Sequence, residues 1–415
     1  MLARQTLAYG ALGFPLAFAA LPLYVHVPRL YADSVGMPLA LVGGLLLLTR
    51  FADALTDPLL GQWSDRFGNR RRLILLALPL LAVGLAALLA PPENSGALWL
   101  VATLTMTFIG FSLATINYHA WGAEIGETPQ ERVRVTATRE MFALGGVVVA
   151  AALPALLGND VATAMQHLGW VFVPLLAIAA LATFTGAPVV APLTEAARQP
   201  VALTAVFADR RFCRLMLVLA VGGIASAIPA TLVLFFIADV LRLAEWQGLF
   251  LVIYFVCGGM ALPGWVALAR RHGKVFAWAA SMVLAIGSFV WAFMLSAGDG
   301  VAFAIICAAS GAALGAELAL PPALLADRLA DGRSTGNSTA GAGAYFGVWN
   351  FVTKFNLALA AGIALPLVSF AGYQVGAGGS AEADGLLALA AVYALLPAAI
   401  KLVSLLLLWR WKKEL

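Results

Sequence analysis

The chain has 415 residues, of which 62% are hydrophobic and only 11% charged, with a formal net charge of +4. An average soluble domain carries about 25% charged residues, so a soluble fold of this length would lack the polar surface to cover its core. The composition excludes a soluble globular protein, does not suggest a nucleic-acid partner, and indicates a polytopic membrane protein.

A membrane span needs about 20 apolar residues. Runs of that kind lie near 6–28, 37–60, 73–91, 97–121, 139–158, 168–187, 212–238, 246–269, 275–296, 300–325, 344–370 and 386–409. The first has small residues after Leu16 spaced like a cleavage site, with Arg4 before it. Its apolar run continues through Val27, too long for a signal peptide, and Pro15 interrupts it. It reads as an uncleaved first span.

The second span carries Arg50, Asp53 and Asp57, three and four residues apart, which share one face of a helix. An ionised group at the bilayer centre costs roughly 2.5–3.5 kcal/mol. Three in two turns must therefore face a protein interior or a wet cavity. Two carboxylates one turn apart, with the Thr56 hydroxyl, supply hard oxygen ligands for a small cation. Alternatively, crowding of like charges would let one acid hold a proton, or the acids form a structural ion-pair cluster with Arg50.

The loops sort by charge. Those after spans 2, 4, 6, 8 and 10 hold Arg66, Arg70, Arg71 and Arg72, then Arg132 and Arg134, Arg198, Arg210 and Arg211, Arg270, Arg271 and Lys274, and Arg328 and Arg333. The opposite loops hold little beyond Arg29 and Arg242. The positive-inside rule then places both termini in the cytoplasm, in a multi-pass protein of a bacterial-type cytoplasmic (inner) membrane. A polar stretch over 189–210, with Pro192, Thr194, Glu195 and Arg198, separates six spans from six. This gives an N-terminal six-helix bundle over 1–188, a linker, and a C-terminal bundle over 211–415. A weak repeat, Tyr31-Ala-Asp-Ser-Val against Ile237-Ala-Asp-Val-Leu, supports two fused halves. The same offset sets Asp53 opposite Gly259 and Asp57 opposite Pro263.

Span 4 ends in Thr115-Ile-Asn117-Tyr118-His119-Ala-Trp121-Gly-Ala-Glu124, where Asn117 and Trp121 share a face. An indole is a platform for a sugar face or another flat or amphipathic ligand. Arg139, opening span 5, can hold a carboxylate or hydroxyls bidentately, or pair with Asp53 or Asp57 to set a gate. His119 reads as a packed or interfacial residue. Span 11 holds Trp349, Asn350 and Lys354, and a lysine among apolar neighbours needs a partner, for which the span-2 acids are candidates. Glu317 in span 10 and Lys401 in span 12 are further intramembrane charges. Lys401 is structural or snorkels to the surface, and Glu317 is substrate-related or paired with a neighbour. The three cysteines, Cys213, Cys257 and Cys307, lack metal-ligand or redox spacing and read as packing residues.

Two motifs carry a resemblance. Gly61-x-x-x-Asp65-Arg66-x-Gly68-x-Arg70-Arg71 looks like the cytoplasmic loop signature of the major facilitator superfamily. Arg50-x-x-Asp53-x-x-Thr56-Asp57-Pro58 resembles the glycoside–pentoside–hexuronide:cation symporter family, of melibiose-permease type. The ends of span 4 and spans 10–11 resemble that family as well.

The resemblance implies an all-α membrane protein of twelve transmembrane helices in two pseudo-symmetric six-helix bundles, not an enzyme, moving a small solute by alternating access. It implies a cation site at Asp53, Thr56 and Asp57, a substrate site drawing on Asn117, Tyr118, Trp121, Arg139, Trp349, Asn350 and Lys354, and a gating loop. Na+ or H+ would be the coupling ion, with no cofactor and no metal beyond a Na+ at Asp53 and Asp57. The partners would be a small-molecule substrate, the cation and the bilayer, without nucleic acid, the protein acting as a monomer. The chain departs from the family where Pro15 and Asn117 replace two acids that hold sugar hydroxyls in galactoside-transporting members. That leaves a sugar, a glycoside, an organic anion or, alternatively, a lysophospholipid or other amphiphile as substrate. A non-transporting pigment-assembly or sensor protein is the alternative of another class. No P-loop supports an ATP-driven pump.

Overall fold

A computed structural model describes residues 3–31, 35–92, 95–153, 157, 161–189, 202–334, 341–373 and 380–415. Most of the expected linker, including Pro192, Thr194, Glu195 and Arg198, lies outside the described residues, as does Asp33 of the repeat.

The apolar runs fold as helices because a helix satisfies its own backbone groups where the surroundings offer no water. In chain order they are α1 (Ala3–Gly10), α2 (Gly13–Val25), α3 (Leu39–Phe67), α4 (Arg70–Leu89), α5 (Ala97–Ile125), α6 (Pro129–Ala152), α7 (Val161–Gly186), α8 (Arg210–Phe235) and α9 (Gln247–His272). They continue with α10 (Lys274–Ala292), α11 (Gly300–Ser334), α12 (Ala342–Phe370), α13 (Ser380–Ala390) and α14 (Leu396–Arg410). Ten helices among the described residues are long and apolar enough to cross a membrane. The remaining crossings of the expected twelve are α3, with 29 residues, and the first, which is divided between α1 and α2. The division falls at Ala11 and Leu12. Pro15 explains it, since proline has no N–H to give and its ring crowds the carbonyl four residues back.

Local sequence also sets the helix ends. Gly68 closes α3 in the left-handed region at φ 62, which glycine adopts without strain. Asn69 then caps α4, accepting from the Arg72 amide at 3.1 Å. Thr128 and Glu131 form a capping box at α6, with Pro129 in its first turn.

The chain divides into two compact units. The first is Met1–Ala208 with Leu325–Phe351, and the second is Asp209–Leu324 with Val352–Leu415. The ends of spans 10 and 11 over 325–351, which the sequence reading places in the C-terminal bundle, thus group with the first unit. In that unit Tyr9, Phe18, Leu81 and Leu104 belong to one buried apolar cluster. Its helices meet through small residues, as association inside a membrane requires. A Cβ on Gly110 would lie 2.6 Å from the Leu81 nitrogen, and one on Gly84 2.8 Å from the Thr107 nitrogen. In the second unit Ile228, Phe236, Phe303 and Tyr393 form the corresponding core, and Gly315 lets α11 approach the Gly258 carbonyl of α9.

Candidate functional site

The site is organised on α3. Phe51, Leu55, Leu59, Trp63 and Phe67 recur every fourth residue and are exposed, forming an apolar stripe suited to lipid. The acids turn the other way: Asp53 is 9% exposed, and Asp57 and Asp65 are fully buried. Asp53 accepts a hydrogen bond from the Ser112 hydroxyl of α5 at 2.8 Å. Thr56, expected beside the acids, is exposed, and its hydroxyl donates to the Asp53 backbone carbonyl at 2.9 Å.

One turn further on, the loop motif becomes a network. Arg70 donates to Asp65 at 2.6 Å, to the Ser64 hydroxyl at 2.9 Å and to Glu124 at 3.3 Å. Ser64 in turn donates to the Asn117 side-chain oxygen. Both oxygens of Asp65 accept from the start of α12, from the Gly343 amide at 2.8 Å and the Ala344 amide at 2.9 Å. An anion at a helix N-terminus meets unsatisfied N–H groups and the favourable end of the helix dipole. Gly61 makes this approach possible, since a methyl group there would overlap the Gly343 carbonyl oxygen. On Gly347 a Cβ would lie 2.5 Å from the Asp57 carbonyl oxygen. Arg71 donates to the Phe184 carbonyl and lies 5.5 Å from the Trp121 ring centre, whereas Arg66 is exposed.

The expected substrate residues fall into three groups. Asn117, Tyr118 and Trp121 are packed inside the first unit, each at most 1% exposed. Asn117 donates to the Leu113 carbonyl at 2.8 Å. Tyr9 and Tyr118 donate to each other's backbone carbonyls with ring centres 4.5 Å apart. Trp121 meets Tyr9 edge-on and stacks on Phe184, and its indole N–H is buried without a hydrogen-bond acceptor. His119 is likewise packed, edge-on to Phe346. The second group is Trp349 and Asn350, both 8% exposed; Asn350 donates to the Thr115 hydroxyl at 3.2 Å. Lys354, half-buried, belongs to the second unit. Arg139 belongs with the first group: 3% exposed, it lies beside Tyr9 and Tyr118 and is paired with its neighbour Glu140 at 2.6 Å, so its charge is already compensated.

Ser64 and Ser112 join this site without having been singled out, and Thr115 and Glu124 join it from a stretch that the sequence marks without giving either a role. Ser112, Thr115 and the end of α5 carry a visible signal, namely polar side chains at helical spacing within an apolar run. Ser64 and Glu124 carry none, because their partners, Asn117 and Arg70 for Ser64 and Arg70 for Glu124, lie on other helices.

The comparisons agree with this architecture. The profile of MFS/sugar transport proteins matches residues 6–413. The uncharacterized symporter YnaJ of Bacillus subtilis is 30% identical over 179 residues, 41% of this chain and 38% of that protein. The inner membrane symporter YicJ of Escherichia coli is 29% identical over 147 residues, 34% of this chain and 32% of that protein. The matched stretches thus span 31–38% of the curated relatives' own length. Among solved structures, a bacterial homologue of the iron transporter ferroportin superposes with TM-score 0.73 at 16% identity, covering all of both chains. The transporter FucP does so with TM-score 0.67 at 14% identity, over 95% of this chain and 98% of that one. At such identities they share the fold alone. With a profile match over nearly its whole length, an all-helical fold and the loop motif in place, the chain belongs to the family of MFS/sugar transport proteins.

Proposed function

We propose that the protein is a cation-coupled secondary symporter that carries a small solute across a bacterial inner membrane by alternating access, with both termini cytoplasmic. Asp53 and Asp57 bind the coupling cation, Na+ or H+. The observation that carries this reading is the burial of two carboxylates one helical turn apart on α3, at 9% and 0% exposure. Two like charges so placed favour a bound counter-charge or a shared proton more strongly than either acid alone. The Ser112 hydroxyl, already bonded to Asp53, adds a neutral oxygen to the set. The relatives' names as symporters support the same reading. Cation binding neutralises the acids, and the substrate then completes a site whose charge has been settled. For the solute, a sugar or glycoside is favoured over an anion, because Arg139 already faces Glu140.

The test is solute uptake into proteoliposomes under imposed Na+ or H+ gradients, with substrates chosen by thermal-shift screening of glycosides, hexuronates and small organic anions. Asp57→Asn and Asp53→Asn are expected to lose gradient-driven accumulation by about ten-fold or more, in proportion to lost charge stabilisation. Uptake that stays intact and cation-dependent in Asp57→Asn sinks the assignment.

A further inference from the structure

The second unit contains a cavity of about 150 Å³ between α8, α9, α10, α11 and the segment entering α14. Its wall is mainly apolar and aromatic, with Pro229, Val233, Tyr254, Phe255, Phe289 and Tyr393 among the lining residues. Glu317 and Lys401 also line it. These are two intramembrane charges that the symport reading does not use.

The hydrogen bonds of this pair decide what the cavity can hold. Lys401, 1% exposed, donates to Glu317 Oε1 at 2.7 Å, to the Ser226 hydroxyl at 2.7 Å and to the Gly222 carbonyl at 3.0 Å. An ammonium group has three N–H donors, so all are spent. Glu317, 16% exposed, accepts from Lys401 on one oxygen and from Ser226 on the other at 2.9 Å. A carboxylate offers about four lone-pair positions, so acceptor capacity is left on the oxygens at the cavity wall. Ser310, also in the lining, gives its hydroxyl to the Ile306 carbonyl at 2.7 Å.

Four ligand classes can be separated on this basis. An anion finds no donor on Lys401 and is repelled by Glu317. A cation adds net charge beside a pair that is already neutral, in low-dielectric surroundings. A free polyol meets Glu317 and the tyrosine hydroxyls of the lining but leaves its remaining hydroxyls without partners against the apolar wall. A neutral apolar ring bearing one hydroxyl matches both ends, the hydroxyl donating to Glu317 and the ring packing among the aromatic side chains. A cavity of roughly 150 Å³ admits one six-membered ring.

We infer that the second unit holds a binding site for a neutral, one-ring alcohol, with Glu317 as the hydroxyl acceptor and Lys401 and Ser226 fixing its carboxylate. This goes beyond the symport reading and involves neither cation nor transport, so its failure leaves that reading untouched.

The experiment is thermal-shift titration of the full-length protein in detergent with cyclohexanol, methylcyclohexane, cyclohexylammonium and glucose. Cyclohexanol is expected to bind about ten-fold more tightly than methylcyclohexane, the size of one hydrogen bond to a charged acceptor, and more tightly than the other two. The double variant Glu317→Gln/Lys401→Met removes both charges together, which spares the fold an unpaired buried ion, and should abolish the preference for the alcohol. Val233→Phe, at a partly exposed lining position, should fill the chamber and lose cyclohexanol binding. Equal binding of cyclohexanol and methylcyclohexane, tighter binding of the ammonium or glucose, or a hydroxyl preference that survives the double variant would each overturn the inference.

Discussion

Asp65 shows how much one side chain does in this protein. Its carboxylate is fully buried, holds Arg70 at 2.6 Å and caps α12 through two backbone amides. All three contacts are charge-assisted, the stronger class of hydrogen bond. Asp65→Asn retains one acceptor but removes the charge from a buried pair, a change that costs about 3 kcal/mol at the lower end for such pairs. The expected outcome is a lowered apparent Tm, lowered further in Asp65→Ala, measured by thermal unfolding in detergent. An asparagine variant as stable as the parent would show that the charge is dispensable. In the sequence Asp65 stands out only as part of the loop signature; in the structure it both caps a helix and pairs with a basic group. The amides it caps lie 278 and 279 residues away, and no local pattern points to them.

Among the elements, α3 is the most legible and the most consequential. Its two faces follow from spacing alone: large apolar side chains every fourth residue point outward, and the acids fall on the buried side. Less legible is its contact with α12, which depends on Gly61 meeting Gly343, and Gly347 meeting Asp57, at backbone distance. A methyl at Gly61 has nowhere to go. Overpacking of this kind costs about 1–3 kcal/mol, so Gly61→Val is expected to lower thermal stability by at least that much, with Gly61→Ala intermediate. Gly44 on the same helix has open space at its Cβ, and Gly44→Ala should leave stability unchanged or slightly raised through helix propensity. If both positions respond alike, the close approach of α3 and α12 is not what holds them. On α5, the reciprocal bonds of Tyr9 and Tyr118 and the stack of Trp121 on Phe184 turn the expected ligand platform into packed interior. An indole at helical spacing looks the same in sequence whether it faces a cavity or a neighbouring helix.

For the molecule as a whole, orientation is the property on which the symport reading depends, because the cation site and the loop motif must face defined sides. Basic residues cluster in alternate loops. With the three native cysteines replaced, a cysteine at exposed Ala297 is expected to react with an impermeant maleimide on intact cells, and one at exposed Gln130 only after permeabilisation. The reverse pattern would invert the topology. The sequence by itself determined the membrane class, the succession of helices, the break before Pro15 and the one-turn spacing of Asp53 and Asp57. These rest on composition and on neighbours within a few residues, where hydrophobicity and helix geometry act directly. Only the tertiary structure decided that Asp65 caps α12, that Asn350 meets Thr115, that 325–351 groups with the first unit, and that Glu317 is held by Lys401, 84 residues away. Each of these requires two separately encoded helices to approach at particular turns. That approach is set by small residues and shape on both partners at once, which no single stretch of sequence contains.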